Sequence, residues 1–80
     1  MTIQEQILRL MYVAFIDIRV ASYDKDIHTI FALSNIFHNV PLHFFKALQG
    51  EDSFENVMKN IEYKCSEMNC MVWLDNAKKI

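Results

Sequence analysis

The groups that a metal site would need are present in this 80-residue chain in its three histidines, its two cysteines and Asp17, one of its five aspartates. Imidazole, thiolate and carboxylate are the groups that bind zinc and iron in proteins. The spacing does not support a metal site, because the sequence holds no C-x-x-C, H-x-x-x-H or E-x-x-H pair. We therefore expect that the chain binds no metal and no cofactor. A ligand- or metal-binding helical bundle that uses the histidines is the alternative hypothesis. The residues concerned are His28, His38, His43, Cys65, Cys70 and Asp17.

Nucleophilic catalysis needs a serine or cysteine beside a base, with a third group that orients the base. Ser34 and His38 are four residues apart and could share a hydrogen bond on a helix, but no third member accompanies them. Cys65 falls on an apolar helix face, which is typical of a structural thiol. Asp17 is expected to pair with a lysine, an arginine or a backbone group across a helix contact. We therefore expect a protein that is not an enzyme.

Composition narrows the fold class and the partners. The chain holds one glycine and one proline, which excludes a glycine-rich phosphate loop, a dinucleotide-binding fold and a turn-rich β-sandwich. Its net charge of −2 is spread along the sequence, so we expect no nucleic-acid partner. The longest apolar run, Leu10–Ile16, is far shorter than a membrane span, so we expect no membrane partner. Free thiols are the expected state of both cysteines, which favours a cytoplasmic location.

The elements that position these side chains are predicted to be helices. Thr2 and Glu5 have the spacing of a capping box at the start of a first helix over residues 2–23. A second helix, capped by an aspartate, is expected over residues 26–38. Because the connection between the two is short, they should form a long antiparallel helical hairpin.

A third, shorter helix is expected over residues 41–49. Pro41 ends the second helix, since the residue before a proline avoids helical backbone. Asn39 is then the expected cap of the third helix, and Gly50 is the expected left-handed residue just past its end. Three apolar side chains of this helix are predicted to face inward: Leu42, Phe45 and Leu48.

A fourth helix is expected over residues 53–68, and it is the clearest single-faced helix of the chain. The tail predicts a final short helix that docks Trp73, with a strand over Met71–Leu74 as the alternative. The sequence therefore predicts one all-α domain over residues 1–80, a bundle of four to five helices. The apolar face of the fourth helix consists of Phe54, Val57, Met58, Ile61, Cys65 and Met68.

The first helix is unusual because it is apolar nearly all round, and such a helix is buried on more than one side. One face should build the core, and the opposite face combines aromatic, aliphatic and arginine side chains that are typical of interface centres. The alternative is that the short helices of the same chain cover this second face. The predicted interface residues are Arg9, Tyr12, Val13, Ile16, Arg19 and Val20.

These observations favour a non-catalytic protein-interaction module. The first hypothesis is a homodimer built on the outer face of the first helix. A narrower version is a small inhibitor or immunity-type regulator that masks another protein. The mild negative charge is compatible with this version but is not evidence for it.

Overall fold

The computed structural model describes residues 1–79 and shows an all-α bundle of five helices over this range. Residues 1–79 contain no strand, so the predicted final helix is confirmed and the strand alternative over Met71–Leu74 is wrong. The predicted fold class is confirmed as well. The helices are α1 (Ile3–Tyr23), α2 (Ile27–Phe37), α3 (Val40–Leu48), α4 (Phe54–Glu67) and α5 (Met71–Lys78).

Side-chain caps fix the starts of the first two helices. The backbone N–H of Glu5 donates to Oγ1 of Thr2 over 3.1 Å, and the Glu5 carboxylate accepts from the backbone N–H of Thr2 over 3.1 Å. This reciprocal pair is the predicted capping box. Asp26 caps α2 by accepting the backbone N–H of Thr29 over 3.1 Å. The caps satisfy N–H groups that have no partner inside a helix.

Residues in left-handed backbone separate the helices. Gly50 follows α3 with φ +80°, as predicted, and Asn69 separates α4 from α5 with φ +57°. Lys25 has φ +57° in the short turn that joins α1 to α2. Asn39 stands at the cap position of α3, but its side chain accepts no backbone hydrogen bond. Asn39 therefore occupies the predicted cap position but does not cap the helix with its side chain.

One hydrophobic core draws side chains from all five helices. α1 and α2 pack together as the predicted hairpin, and α4 contacts each of the other four helices. The largest fully buried side chains include Ile7 and Leu10 of α1, Leu33 of α2, Ile61 of α4 and Leu74 of α5. α1 contributes one long stripe to this core, and several apolar side chains on its opposite face are exposed.

The inward face of α3 differs from the prediction. The buried residues are Val40, Phe44 and Ala47, and the Phe44 ring packs on Phe54 of α4 with centroids 5.3 Å apart. The three side chains expected inside are 52% to 55% exposed. The helix carries apolar residues on nearly every side, so periodicity alone does not choose its buried face. The exposed three are Leu42, Phe45 and Leu48.

Candidate interaction surface

The outer face of α1 presents a continuous series of exposed apolar side chains. Residues three, four, seven and eight positions apart on a helix lie on the same side, and these six follow that spacing. Their exposed fractions lie between 43% and 75%. We call this set the α1 outer face; it consists of Leu8, Tyr12, Phe15, Ile16, Val20 and Tyr23.

Helix α1 is therefore apolar on two sides. Its inner side buries Ile7, Leu10, Ala14 and Ala21 in the core. Within residues 1–79 no other helix of the chain covers Tyr12, which is 68% exposed at the middle of the α1 outer face. The alternative in which short helices of the same chain cover this face is not what the structure shows.

Val13 is the predicted interface residue that the structure places elsewhere. It is only 8% exposed and belongs to the core cluster. Val13 follows Leu10 by three residues, so the two side chains point only about 60° apart on the helix. The core extends over that edge of α1 and covers Val13, which removes it from the surface.

Phe15, Leu8 and Tyr23 belong to the α1 outer face but were not among the predicted interface residues. Phe15 follows Tyr12 by three residues and precedes Arg19 by four, and this spacing is the signal that places it on the face. All three side chains are exposed. The surface is therefore longer and more aromatic than the sequence-based prediction.

Charged side chains accompany this apolar face. Arg9 and Arg19 are exposed, as is Glu5 in the first turn of α1. The pKa of the Glu5 carboxyl lies below its ordinary value, because it accepts hydrogen bonds from the backbone and side chain of Thr2. Glu5 is therefore ionised at neutral pH. The face carries charges of both signs around an apolar centre.

Asp17 joins α1 to α5. The indole N–H of Trp73 donates to Oδ2 of Asp17 over 2.6 Å, and the Trp73 ring meets the Phe37 ring edge-on with centroids 5.5 Å apart. The sequence predicted a structural partner for Asp17, and the contact confirms this. The partner is an indole, whereas a lysine, arginine or backbone group was expected. The Asp17 carboxylate therefore has a structural role, because its hydrogen bond joins α1 to α5.

The histidines do not converge on one another. His28 and His38 are exposed, and His43 is half-buried. His43 lines a cleft of about 190 Å³ together with Asn60, Lys64 and apolar side chains of α2, α3 and α4. Among residues 1–79, no three side chains of His, Cys, Asp or Glu are grouped so that they could hold a metal ion. The cleft is smaller than the roughly 300 Å³ at which ordinary ligand pockets begin.

The two thiols have the properties of structural cysteines. Cys65 is fully buried in α4, and this burial raises its pKa to about 11. Burial also raises the pKa of Cys70. Because their pKa values are raised, both thiols are protonated at neutral pH. The thiolate is the nucleophilic form, so both residues are poorly reactive.

No family model, no curated protein and no solved structure matches this chain. In the part of the chain that the structure describes, no helix is both long enough and apolar enough to cross a membrane.

Proposed function

We propose that this chain is a non-catalytic protein-interaction module that associates with a second copy of itself through the α1 outer face. The observation that carries the proposal is the exposure of six large apolar side chains along one face of a single helix. An exposed apolar surface of this kind marks a binding site in a folded protein, since burying it on association is favourable.

The residue types on the face support a protein partner. Tyrosine, phenylalanine and arginine are enriched at the centres of interfaces, and lysine is depleted there. The α1 outer face holds Tyr12, Phe15 and Tyr23 beside Arg9 and Arg19, and α1 contains no lysine. Its composition is that of an interface centre with a charged surround.

The face also extends along most of α1, the longest helix of the bundle. A helix of 21 residues is about 32 Å long, and the exposed apolar series extends from Leu8 near its start to Tyr23 at its end. Pairing two such helices along their length is the common way in which helical proteins dimerise. The α3 surface is shorter, since α3 has only nine residues.

A small regulator that masks a different protein would use the same face. In that case the chain alone would remain monomeric, and the second copy would be replaced by another helix or groove. The free thiols of Cys65 and Cys70 support a reducing compartment, and we place the module in the cytoplasm on that ground.

Sedimentation equilibrium of the unmodified chain tests this proposal. We expect a mass of about twice 9.5 kDa at the upper end of the micromolar range, falling towards one chain on dilution. A mass of one chain across the whole range would contradict self-association and would favour a different protein as the partner.

A further inference from the structure

We propose that the two copies pair α1 against α1 in antiparallel orientation, with the two-fold axis at Tyr12 and Glu5 of each copy facing Arg19 of the other. This inference rests on the proposed function, because it specifies how the α1 outer face meets its partner. The observation that supports it is that the α1 outer face and its flanking charges are complementary to a second copy of themselves. The same surface must serve both copies in a two-fold dimer, so the surface must be complementary to itself.

The spacing of the charged residues meets this requirement. Glu5 precedes Tyr12 by seven residues, and Arg19 follows Tyr12 by seven. Seven residues complete nearly two helical turns, so both side chains lie within about 20° of the direction of Tyr12. Both are exposed. In an antiparallel pair centred on Tyr12, Glu5 lies level with Arg19 of the second copy, and the symmetry forms this pair twice.

Two apolar residues of the α1 outer face also match under the same operation. Leu8 and Ile16 are four residues before and after Tyr12, so each lies level with the other across the interface. Val20 lies level with Gln4 under this operation, so the apolar match covers the middle of the α1 outer face. An apolar side chain thus lies level with an apolar one on either side of the Tyr12 pair, as self-complementarity requires.

Two other pairings, a parallel α1 pair and an α3 pair, lack this complementarity. A parallel pair in register would place Glu5 against Glu5 and Arg19 against Arg19, and like charges that face each other weaken association. An α3 pair would bring its exposed apolar side chains together, but Lys46 is the one Asp, Glu, Lys or Arg residue of α3. That helix offers no opposite charge for a second copy. The observations therefore favour the antiparallel α1 pair.

Charge reversal tests the orientation. Glu5→Arg alone and Arg19→Glu alone each create two like-charge contacts in a homodimer, and each should weaken self-association by about tenfold or more. An equimolar mixture of the two variants should restore it, because every contact in the mixed dimer then joins opposite charges. Native mass spectrometry separates the mixed dimer from both homodimers by mass. The double variant Glu5→Arg/Arg19→Glu should also dimerise.

Matched controls separate the orientation from other effects. Glu55→Arg changes the charge equally in the first turn of α4, outside the α1 outer face, and should leave dimerisation unchanged. Circular dichroism reports any loss of helix when Glu5→Arg removes the capping-box carboxylate. A dimeric unmodified chain whose single variants dimerise as well as it does, as a parallel pair would, or whose mixed variants show no recovery, would overturn the antiparallel pairing and leave self-association intact. A monomeric unmodified chain would overturn both.

Discussion

Replacing Tyr12 by glutamate is expected to raise the dissociation constant of the dimer by more than about 100-fold. Tyr12 lies at the middle of the α1 outer face and is largely exposed in the single chain. In the dimer the substitution removes two aromatic side chains and places two carboxylates against each other in an apolar contact. A single substitution at an interface centre costs about 2 kcal/mol or more, and a two-fold dimer carries the substitution twice. Because about 1.4 kcal/mol corresponds to tenfold in affinity, the combined loss exceeds about 100-fold.

Tyr63→Glu provides the matched control for this experiment. Tyr63 lies on α4 and is 64% exposed, close to the value for Tyr12, so the same change is made at a similar surface position. Both variants should retain the helix content of the unmodified chain, and only Tyr12→Glu should sediment as one chain. Ile16→Glu should behave as Tyr12→Glu does. If Tyr12→Glu and Tyr63→Glu dimerise equally well, the α1 outer face is not the interface.

Replacing Ile61 by alanine is expected to lower the free energy of unfolding by about 2–5 kcal/mol. Ile61 is 0% exposed and belongs to α4, the helix that contacts all the others. The substitution removes buried methyl and methylene groups and leaves a cavity that the surrounding helices fill only in part. A domain of this size is stable by roughly 4–12 kcal/mol. The loss would therefore be a large fraction of the total.

Ile27→Ala is the control for the core substitution. Ile27 is 75% exposed at the start of α2, so the same change should alter the free energy of unfolding by no more than about 0.5 kcal/mol. Urea unfolding followed by circular dichroism measures both variants. The chain concentration must be held constant, because the proposed dimerisation would add to the apparent stability. Equal losses for the two variants would show that α4 does not hold the core together as described.

Local signals made most of the helix boundaries predictable. The capping box at Thr2 and the left-handed Gly50 act through neighbouring backbone, so short sequence patterns reveal them. Helix α4 was predictable in the same way, because its apolar residues occupy a single face and leave no choice of side. These features depend on residues within a turn or two of each other.

The buried sides of α1 and α3 were harder to predict. Both helices carry apolar residues almost all round, so the choice of face depends on the helices that pack against them. Val13 sits at the edge of the core arc of α1 and is covered, whereas Phe44 of α3 turns inward to meet Phe54 of α4. A periodicity argument contains no information about these distant partners.

The hydrogen bond between Asp17 and Trp73 is a second case in which a sequence pattern does not identify a distant partner. The two residues are 56 positions apart in the chain. The sequence indicated that Asp17 needs a partner and that Trp73 docks on the bundle, but not that each is the partner of the other. Only the packing of α5 against α1 brings the indole N–H to the carboxylate.

A concentration series of backbone amide NMR spectra of the unmodified chain tests the central claim most directly. As the concentration rises through the micromolar range, we expect the amide signals of Tyr12, Ile16 and Val20 on α1 to shift progressively. Signals around Tyr63 on α4 should stay in place. Spectra that do not change with concentration, or that change at Phe45 on α3 while α1 stays constant, would contradict a self-associating α1 outer face.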